Sequence, residues 1–110
     1  MRFERTDSFR ADYRRLSAAE KLLVRAAIAE FASACDEFQQ HGTAFPARLR
    51  VKAMRGAPGI FEMTWSFAGP DGRATWEWTE VEVVDDMGAV VRVPAVRWRR
   101  IGSHAIFRTP

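Results

Sequence analysis

Near its C-terminal end the sequence reads Trp98-Arg99-Arg100-Ile101-Gly102-Ser103-His104-Ala105-Ile106-Phe107. Up to Trp98, apolar residues alternate with arginines, which is the two-residue period of a half-buried β-strand. A Gly-Ser break then ends the strand and places His104 directly after several cations. A histidine flanked by cations and an aromatic residue suits a phosphate-rich ligand. The stretch therefore predicts a final strand that ends in a candidate site.

Length and composition indicate one globular domain covering residues 1–110. The chain has 110 residues, 47% of them hydrophobic, and it has four tryptophans, which is enough apolar surface for a core. The formal net charge is +3, from 17 basic and 14 acidic residues. All basic residues except Lys21 and Lys52 are arginine, a bias that is as easily genomic as functional.

The charges are unevenly distributed along the chain. No acidic residue lies between Glu37 and Glu62, and none follows Asp86. Several basic residues occupy these two stretches: Arg48, Arg50, Lys52, Arg55, Arg92, Arg97, Arg99, Arg100 and Arg108. Such a pattern predicts one basic face, as expected for a nucleic-acid partner.

The single cysteine and the lack of a long apolar run favour a protein of the reducing cytoplasm. Cys35 is the single cysteine, so no disulfide forms within the chain. No apolar run is long enough to span a membrane, and no signal-peptide segment is evident. With one cysteine and two distant histidines, His41 and His104, we expect no metal site.

Two helices are predicted in the first half of the chain. Met1–Arg5 is either a short first strand or an irregular start. Asp7 or Ser8 is the expected cap of a short helix. Ser17-Ala18-Ala19-Glu20 matches a capping box and begins a long helix that runs to about Phe38. The apolar stripe of this helix has spacings of three and four: Val24, Ala27, Ile28, Phe31, Cys35 and Phe38.

The second half predicts antiparallel strands joined by turns. The expected strands are Leu49–Met54, Ile60–Phe67, Arg73–Trp78 and Val90–Ile101, and the expected turns are Gly69–Gly72 and Asp85–Gly88. A bulge is expected near Thr79, and Pro94 is expected at a bulge or a free edge. The predicted fold class is α+β, with an N-terminal helical hairpin packed on one face of a twisted, mainly antiparallel sheet of about four strands.

Several segments together resemble the RelE/ParE superfamily of bacterial toxins from toxin–antitoxin modules. They are Tyr13–Ser17, Leu49–Lys52, Gly59–Met63, Asp71–Thr75 and Arg99–Phe107, and in element order they cover nearly the whole chain. The tail is the most specific of them, since it is similar to the ending of YafQ-like members.

The resemblance implies a RelE-like fold and an endoribonuclease that cuts messenger RNA on the ribosome. Such enzymes use the ribose 2′-hydroxyl as nucleophile and need no metal or cofactor. The implied partners are mRNA, the ribosome and a cognate antitoxin, while a homodimer is left open. The implied location is cytoplasmic, with no membrane association.

By position, His104 matches the tail histidine of YafQ-like toxins, and Arg73 matches an arginine of RelE-like members. Asp71 matches an aspartate ahead of that strand. A histidine with a reference pKa near 6.5 suits proton transfer, and Phe107 suits stacking on a base. The expected RNA-binding residues are basic: Arg50, Lys52, Arg55, Arg97, Arg99 and Arg100.

Other interpretations of these residues stay open. Arg73 can simply pair with Asp71, and the arginines of the last strand can pair with Glu77 or Glu80. Many RelE-like members use a C-terminal tyrosine where this chain has Phe107. The alternative functions are a ParE-like toxin that binds DNA gyrase without chemistry, and a catalytically degenerate relative that binds protein or RNA.

Overall fold

The computed structural model describes residues 1–66 and 71–110, and for His104 it describes the backbone alone. In chain order its elements are β1 (Arg2–Arg5), α1 (Asp7–Arg14), α2 (Ala18–His41), a 3₁₀ turn (Ala47–Leu49), β2 (Lys52–Ala53), β3 (Phe61–Ser66), β4 (Gly72–Val84), β5 (Val90–Gly102) and a 3₁₀ helix (His104–Arg108). Phe67 and the first part of the predicted Gly69–Gly72 turn lie outside the described residues.

The strands form one sheet in the order β1-β5-β4-β3-β2. β1 pairs parallel with β5, and the other neighbours pair antiparallel. The α+β class and the mainly antiparallel sheet are therefore confirmed, with five strands where about four were predicted. The additional strand is the first segment of the chain, which the sequence left open. Its Phe3 ring packs 5.6 Å from the ring of Trp98 on β5.

α1 begins one residue earlier than predicted, because Thr6 is its cap in place of Asp7 or Ser8. The Thr6 hydroxyl oxygen accepts a hydrogen bond from the Phe9 amide at 3.1 Å. The same hydroxyl donates to the main-chain oxygen of Arg99 at 2.7 Å. Thr6 therefore fixes the start of α1 directly against β5.

α2 follows the prediction closely. The Ser17 and Glu20 side chains form the expected capping box, and the helix ends at Gly42, whose φ of 68° is left-handed. Four residues of the predicted stripe are buried: Val24, Ala27, Phe31 and Cys35. Ile28 is half-buried, whereas Phe38 is exposed at the helix end and stacks on Phe45 at 5.4 Å.

The core between helices and sheet is built on aromatic rings. Phe31 of α2 lies 5.0 Å from both Trp76 of β4 and Trp98 of β5, measured between ring centroids. All three side chains are fully buried. Within the described residues, neither indole nitrogen of this tryptophan pair has a hydrogen-bond partner. The three rings therefore form the apolar centre of the core between the helices and the sheet.

The predicted strand Leu49–Met54 is much shorter in the structure, where only Lys52–Ala53 pairs with β3. The preceding residues form a 3₁₀ turn instead, which carries the fully buried Leu49 into the core. Arg50 then adopts a left-handed φ of 49°. The alternation predicted a strand from Leu49 onward, but burying Leu49 in the core requires the 3₁₀ turn. Only Lys52 and Ala53 therefore pair with β3.

The bulge predicted near Thr79 is wrong. Pairing of β4 with β5 is continuous from Trp76 to Val84, and the register shift lies between Thr75 and Trp76, opposite Arg99. The apolar alternation changes after Trp78 because the hairpin leaves the helix-covered part of the sheet there. Pro94 occupies a free edge of β5, since β1 first pairs at Ala95.

In the described part of the chain no helix is both long and apolar enough to cross a membrane.

Candidate functional site

Arg73 occupies the centre of one end of the sheet. In the strand register it lies between Thr64 of β3 and Gly102 of β5. Its guanidinium nitrogen Nη2 donates to Asp71 Oδ2 at 3.0 Å, and its side chain is only 10% exposed. Its main-chain oxygen accepts a hydrogen bond of 2.9 Å from the indole nitrogen of Trp65. Arg73 is therefore fixed at both its backbone and its charged group.

A second guanidinium approaches the same carboxylate. Nη1 of Arg50 lies 3.4 Å from Asp71 Oδ2, the atom that also binds Arg73. The left-handed backbone of Arg50, at the end of the 3₁₀ turn, brings this exposed side chain next to β4. The Asp71 carboxylate thus contacts two guanidiniums, and the cluster of Arg50, Asp71 and Arg73 has a net positive charge. Planar guanidiniums bind phosphate oxygens bidentately, so the cluster suits a phosphodiester.

The C-terminal segment begins beside this cluster. Gly102 is the β5 neighbour of Arg73, and Ser103 caps the 3₁₀ helix that His104 opens. Ile106 of this helix is buried, and Phe107 is half-buried. The position of the His104 side chain lies outside the described part of the chain. The backbone nonetheless brings His104 to the same end of the sheet as Arg73.

Arg97 and Arg99, two predicted RNA-binding residues of β5, are paired with acids on the neighbouring strands. Arg97 lies 3.1 Å from Glu4 and 3.0 Å from Glu77. Arg99 also pairs with Glu77, and its Nε donates to the main-chain oxygen of Pro110 at 3.0 Å. The pairing with Glu77, kept open as an alternative, is what the structure shows. Glu80 pairs instead with an arginine farther along the hairpin, Arg92.

Arg100 connects three parts of the molecule. Its Nε lies 2.7 Å from Oδ2 of Asp12, a buried residue of α1. The hydrogen bond to this carboxylate raises the pKa of Arg100 above its ordinary value. A second guanidinium nitrogen donates to the Thr109 hydroxyl at 2.8 Å. These contacts give Arg100 a structural role, in which it joins α1, β5 and the C-terminal segment.

The predicted basic face is interleaved with carboxylates. Lys52 lies 3.5 Å from Glu62, which adds a third acid to Glu4 and Glu77 on the sheet face turned away from the helices. Arg55 is exposed in the turn after β2. The acids are distant in sequence from the arginines, and sheet pairing places them together. Net positive charge on this face is therefore concentrated at the end that carries Arg50 and Arg73.

A second basic surface lies on the helix side of the sheet. Between α1 and α2 there is a groove of about 720 Å³ whose lining includes Arg5, Arg10, Arg14 and Arg25. The sequence signal for it is weak, because these arginines have no common spacing. They come together only when β1 and both helices are assembled.

Among the described residues, no group of three or more His, Cys, Asp or Glu side chains is arranged to hold a metal ion. The arrangement can instead bind an anion through guanidiniums. The architecture, with two helices on one face of a mixed sheet, is consistent with the RelE-like α+β fold that the resemblance implies. Comparisons with models of known families, with curated proteins and with solved structures found no match for this chain.

Proposed function

We propose that the chain is a toxin-type endoribonuclease that cuts messenger RNA on the ribosome without a metal. The observation that carries the proposal is the position of Arg73. This arginine is almost buried, is held by Asp71 at 3.0 Å, and is paired through the backbone with Gly102, two residues before His104. Phosphodiester cleavage by the ribose 2′-hydroxyl requires a fixed cation and a titratable group at one place, and the backbone brings His104 to the end of the sheet that carries Arg73.

In this reaction the ribose 2′-hydroxyl loses its proton and its oxygen forms a bond to the adjacent phosphorus. The bond from phosphorus to the 5′-oxygen breaks, and that oxygen takes up a proton. The products are a 2′,3′-cyclic phosphate and a 5′-hydroxyl, so no water is consumed and no oxidant is needed. In the proposed mechanism His104 exchanges a proton with the RNA, and Arg73 neutralises the charge that develops on the phosphorane oxygens.

The burial of Arg73 supports this role. A guanidinium in a poorly hydrated position is screened less than one at the surface, so it attracts a phosphate in contact with it more strongly. Asp71 fixes the guanidinium before RNA binds, which lowers the cost of ordering it. The exposed Arg50 supplies a second cation for the flanking phosphate. Phe107 is proposed to stack on a base next to the cut.

A translating extract tests the proposal. Purified protein is added to the extract, and the message is mapped by primer extension. We expect cuts with the wild-type protein and a loss of about 100-fold or more in cutting rate with His104→Ala. His41→Ala is the matched control, because His41 lies at the exposed end of α2 and should cut normally. Intact messages in the presence of folded wild-type protein would overturn the proposal.

One observation favours a second candidate, a binding module without chemistry of its own. Arg97 and Arg99 are neutralised by Glu4 and Glu77, so RNA along this face has to displace carboxylates. A ParE-like gyrase toxin, or a degenerate relative that binds protein, has no such requirement. Inhibition of DNA supercoiling by gyrase, with no RNA cleavage, would establish the gyrase toxin. RNA affinity that falls with salt but is unchanged by His104→Ala would establish the degenerate relative.

A further inference from the structure

The groove between α1 and α2 combines an apolar floor with a basic rim. Its volume is about 720 Å³, within the range of small-molecule sites in proteins. The lining residues come from β1, α1, α2 and β5. α1 packs over β5 and α2 over β3, so the helices leave this space between them. It lies on the opposite side of the sheet from the face that carries Arg73.

The floor and walls of the groove are apolar and aromatic. Phe9, Val24 and Trp98 form the floor and are buried by the fold itself. Phe3 and Tyr13 form walls and remain partly exposed. The ring of Phe9 connects them, since it lies 5.9 Å from that of Trp98 and 6.5 Å from that of Tyr13. An apolar chain lying here would contact hydrocarbon on several sides.

The rim carries positive charge that the protein itself does not neutralise. Arg5, Arg14 and Arg25 form no ion pair with any described residue. Arg10 has one contact, at 3.5 Å to an exposed aspartate of its own helix, Asp7. This differs from the other face of the sheet, where the arginines of β5 are paired with carboxylates. A bound anionic group would neutralise the guanidiniums of this rim.

We propose that the groove binds a small anionic amphiphile, a molecule with one apolar chain and one carboxylate, sulfate or phosphate group. The apolar chain lies on the floor, and the anionic group contacts the arginines of the rim. The dimensions favour a small molecule over a partner helix. α1 has eight residues and is therefore about 12 Å long, which is too short a wall for the three or four turns of a docked helix. The proposal involves neither Arg73 nor the C-terminal segment, so it is independent of the proposed function.

Calorimetric titration of the full chain with sodium laurate, below its micelle concentration, tests the proposal. We expect saturable 1:1 binding that Arg14→Glu or Arg25→Glu weakens at least 10-fold. Arg15→Glu is the matched control: it makes the same charge change next to Arg14, outside the groove lining, and should change the affinity less than twofold. Arg14→Gln is measured as well, so that a folded variant remains if charge reversal disturbs α1.

The apolar part of the site has its own readout. Affinity should rise roughly fourfold for each CH₂ added from octanoate to laurate, and dodecanol, which lacks the charge, should bind at least 10-fold more weakly than laurate. Equal losses with Arg14→Glu and Arg15→Glu would overturn the proposal. So would binding to phosphatidylglycerol vesicles, or to an acidic amphipathic peptide, without binding of laurate. The first result would indicate a membrane surface, and the second a protein partner.

Discussion

A single close contact between two residues positions the candidate site. Gly72 lies under the indole ring of Trp65, and a Cβ atom at Gly72 would overlap that ring. The same indole donates to the main-chain oxygen of Arg73. The absence of a side chain at Gly72 therefore lets Trp65 approach and hold the backbone that carries the arginine. The sequence indicated only a turn glycine here, because the contact joins residues on two strands.

We expect Gly72→Ala to lower the free energy of unfolding by about 1–3 kcal/mol, because the added methyl group forces the Trp65 ring to move. Denaturant unfolding measures the change. In a Trp65→Leu background the clashing ring is gone, so the same substitution should cost less than half as much. Equal costs in both backgrounds would show that the contact has no energetic role.

Cys35 makes a pH-dependent contribution to stability. Burial, and then the nearby negative charge of Asp36, raise the pKa of its thiol from the ordinary 9.0 to about 12. The folded protein therefore keeps a proton that the unfolded thiol loses above about pH 9. Its contribution is complete below that pH and is lost as the pH rises towards 12.

We expect the wild-type protein to lose stability relative to Cys35→Ala between pH 9 and 11. Denaturant unfolding of both proteins at several pH values measures the difference. The folded thiol should also resist alkylation at pH 8 until denaturant is added. Parallel pH profiles of the two proteins would contradict the assignment.

At the scale of elements, a buried ion pair attaches α1 to the sheet. The Asp12 carboxylate accepts from Arg100 and from the main-chain amide of Ile101 at 3.1 Å. The short helix itself was predicted from the sequence. Its attachment was not, because Asp12 and Arg100 are distant in sequence and their proximity depends on the sheet order.

We expect Asp12→Ala to lower the free energy of unfolding by at least about 2 kcal/mol, because it leaves a partly buried guanidinium and a buried amide without their acceptor. Asp7→Ala on the same helix removes an exposed pair with Arg10 and a carboxylate of the first turn and should cost less than about 1 kcal/mol. Thermal and denaturant unfolding compare the two. Similar effects of both substitutions would contradict a specific role for Asp12.

The β4–β5 hairpin extends beyond the rest of the sheet. Its strands remain paired to Val84 and Val90, whereas Met87 at its tip is 91% exposed. Within the described strands, β3 pairs with β4 no farther than Trp76. The sequence indicated the turn correctly, from its acidic residues and Gly88. The change of apolar face along β4 was misread as a bulge, since alternation alone does not show where neighbouring strands end.

Replacing residues 82–92 with a short Asn-Gly turn should change the free energy of unfolding by no more than about 1 kcal/mol. The removed segment is exposed except for the half-buried Val83 and Val91, and its charged pairs are surface pairs, which contribute little. Circular dichroism and thermal unfolding of the shortened protein measure the outcome. Loss of cooperative unfolding would mean that the hairpin is required by the core.

For the whole molecule, local signals predicted the helices and most strands, while the site required the topology. The local signals lie within short stretches of sequence. They are the capping box at Ser17, the apolar stripe through Phe31 and the alternation around Trp98. The convergence of Arg50, Asp71 and the His104 backbone depends on three strands meeting. The acids that pair with the β5 arginines, Glu4 and Glu77, also lie beside them only because β1 and β4 pair with β5. Local patterns cannot contain that information.

Single-turnover cleavage of a ribosome-bound message, with analysis of the new RNA ends, tests the central claim most directly. We expect a 2′,3′-cyclic phosphate and a 5′-hydroxyl, and a rate at least 100-fold lower for Arg73→Ala. Arg92→Ala, which alters an exposed arginine of the hairpin, should cleave at the wild-type rate. Equal rates for Arg73→Ala and Arg92→Ala, both correctly folded, or a 3′-hydroxyl end, would contradict the proposed site.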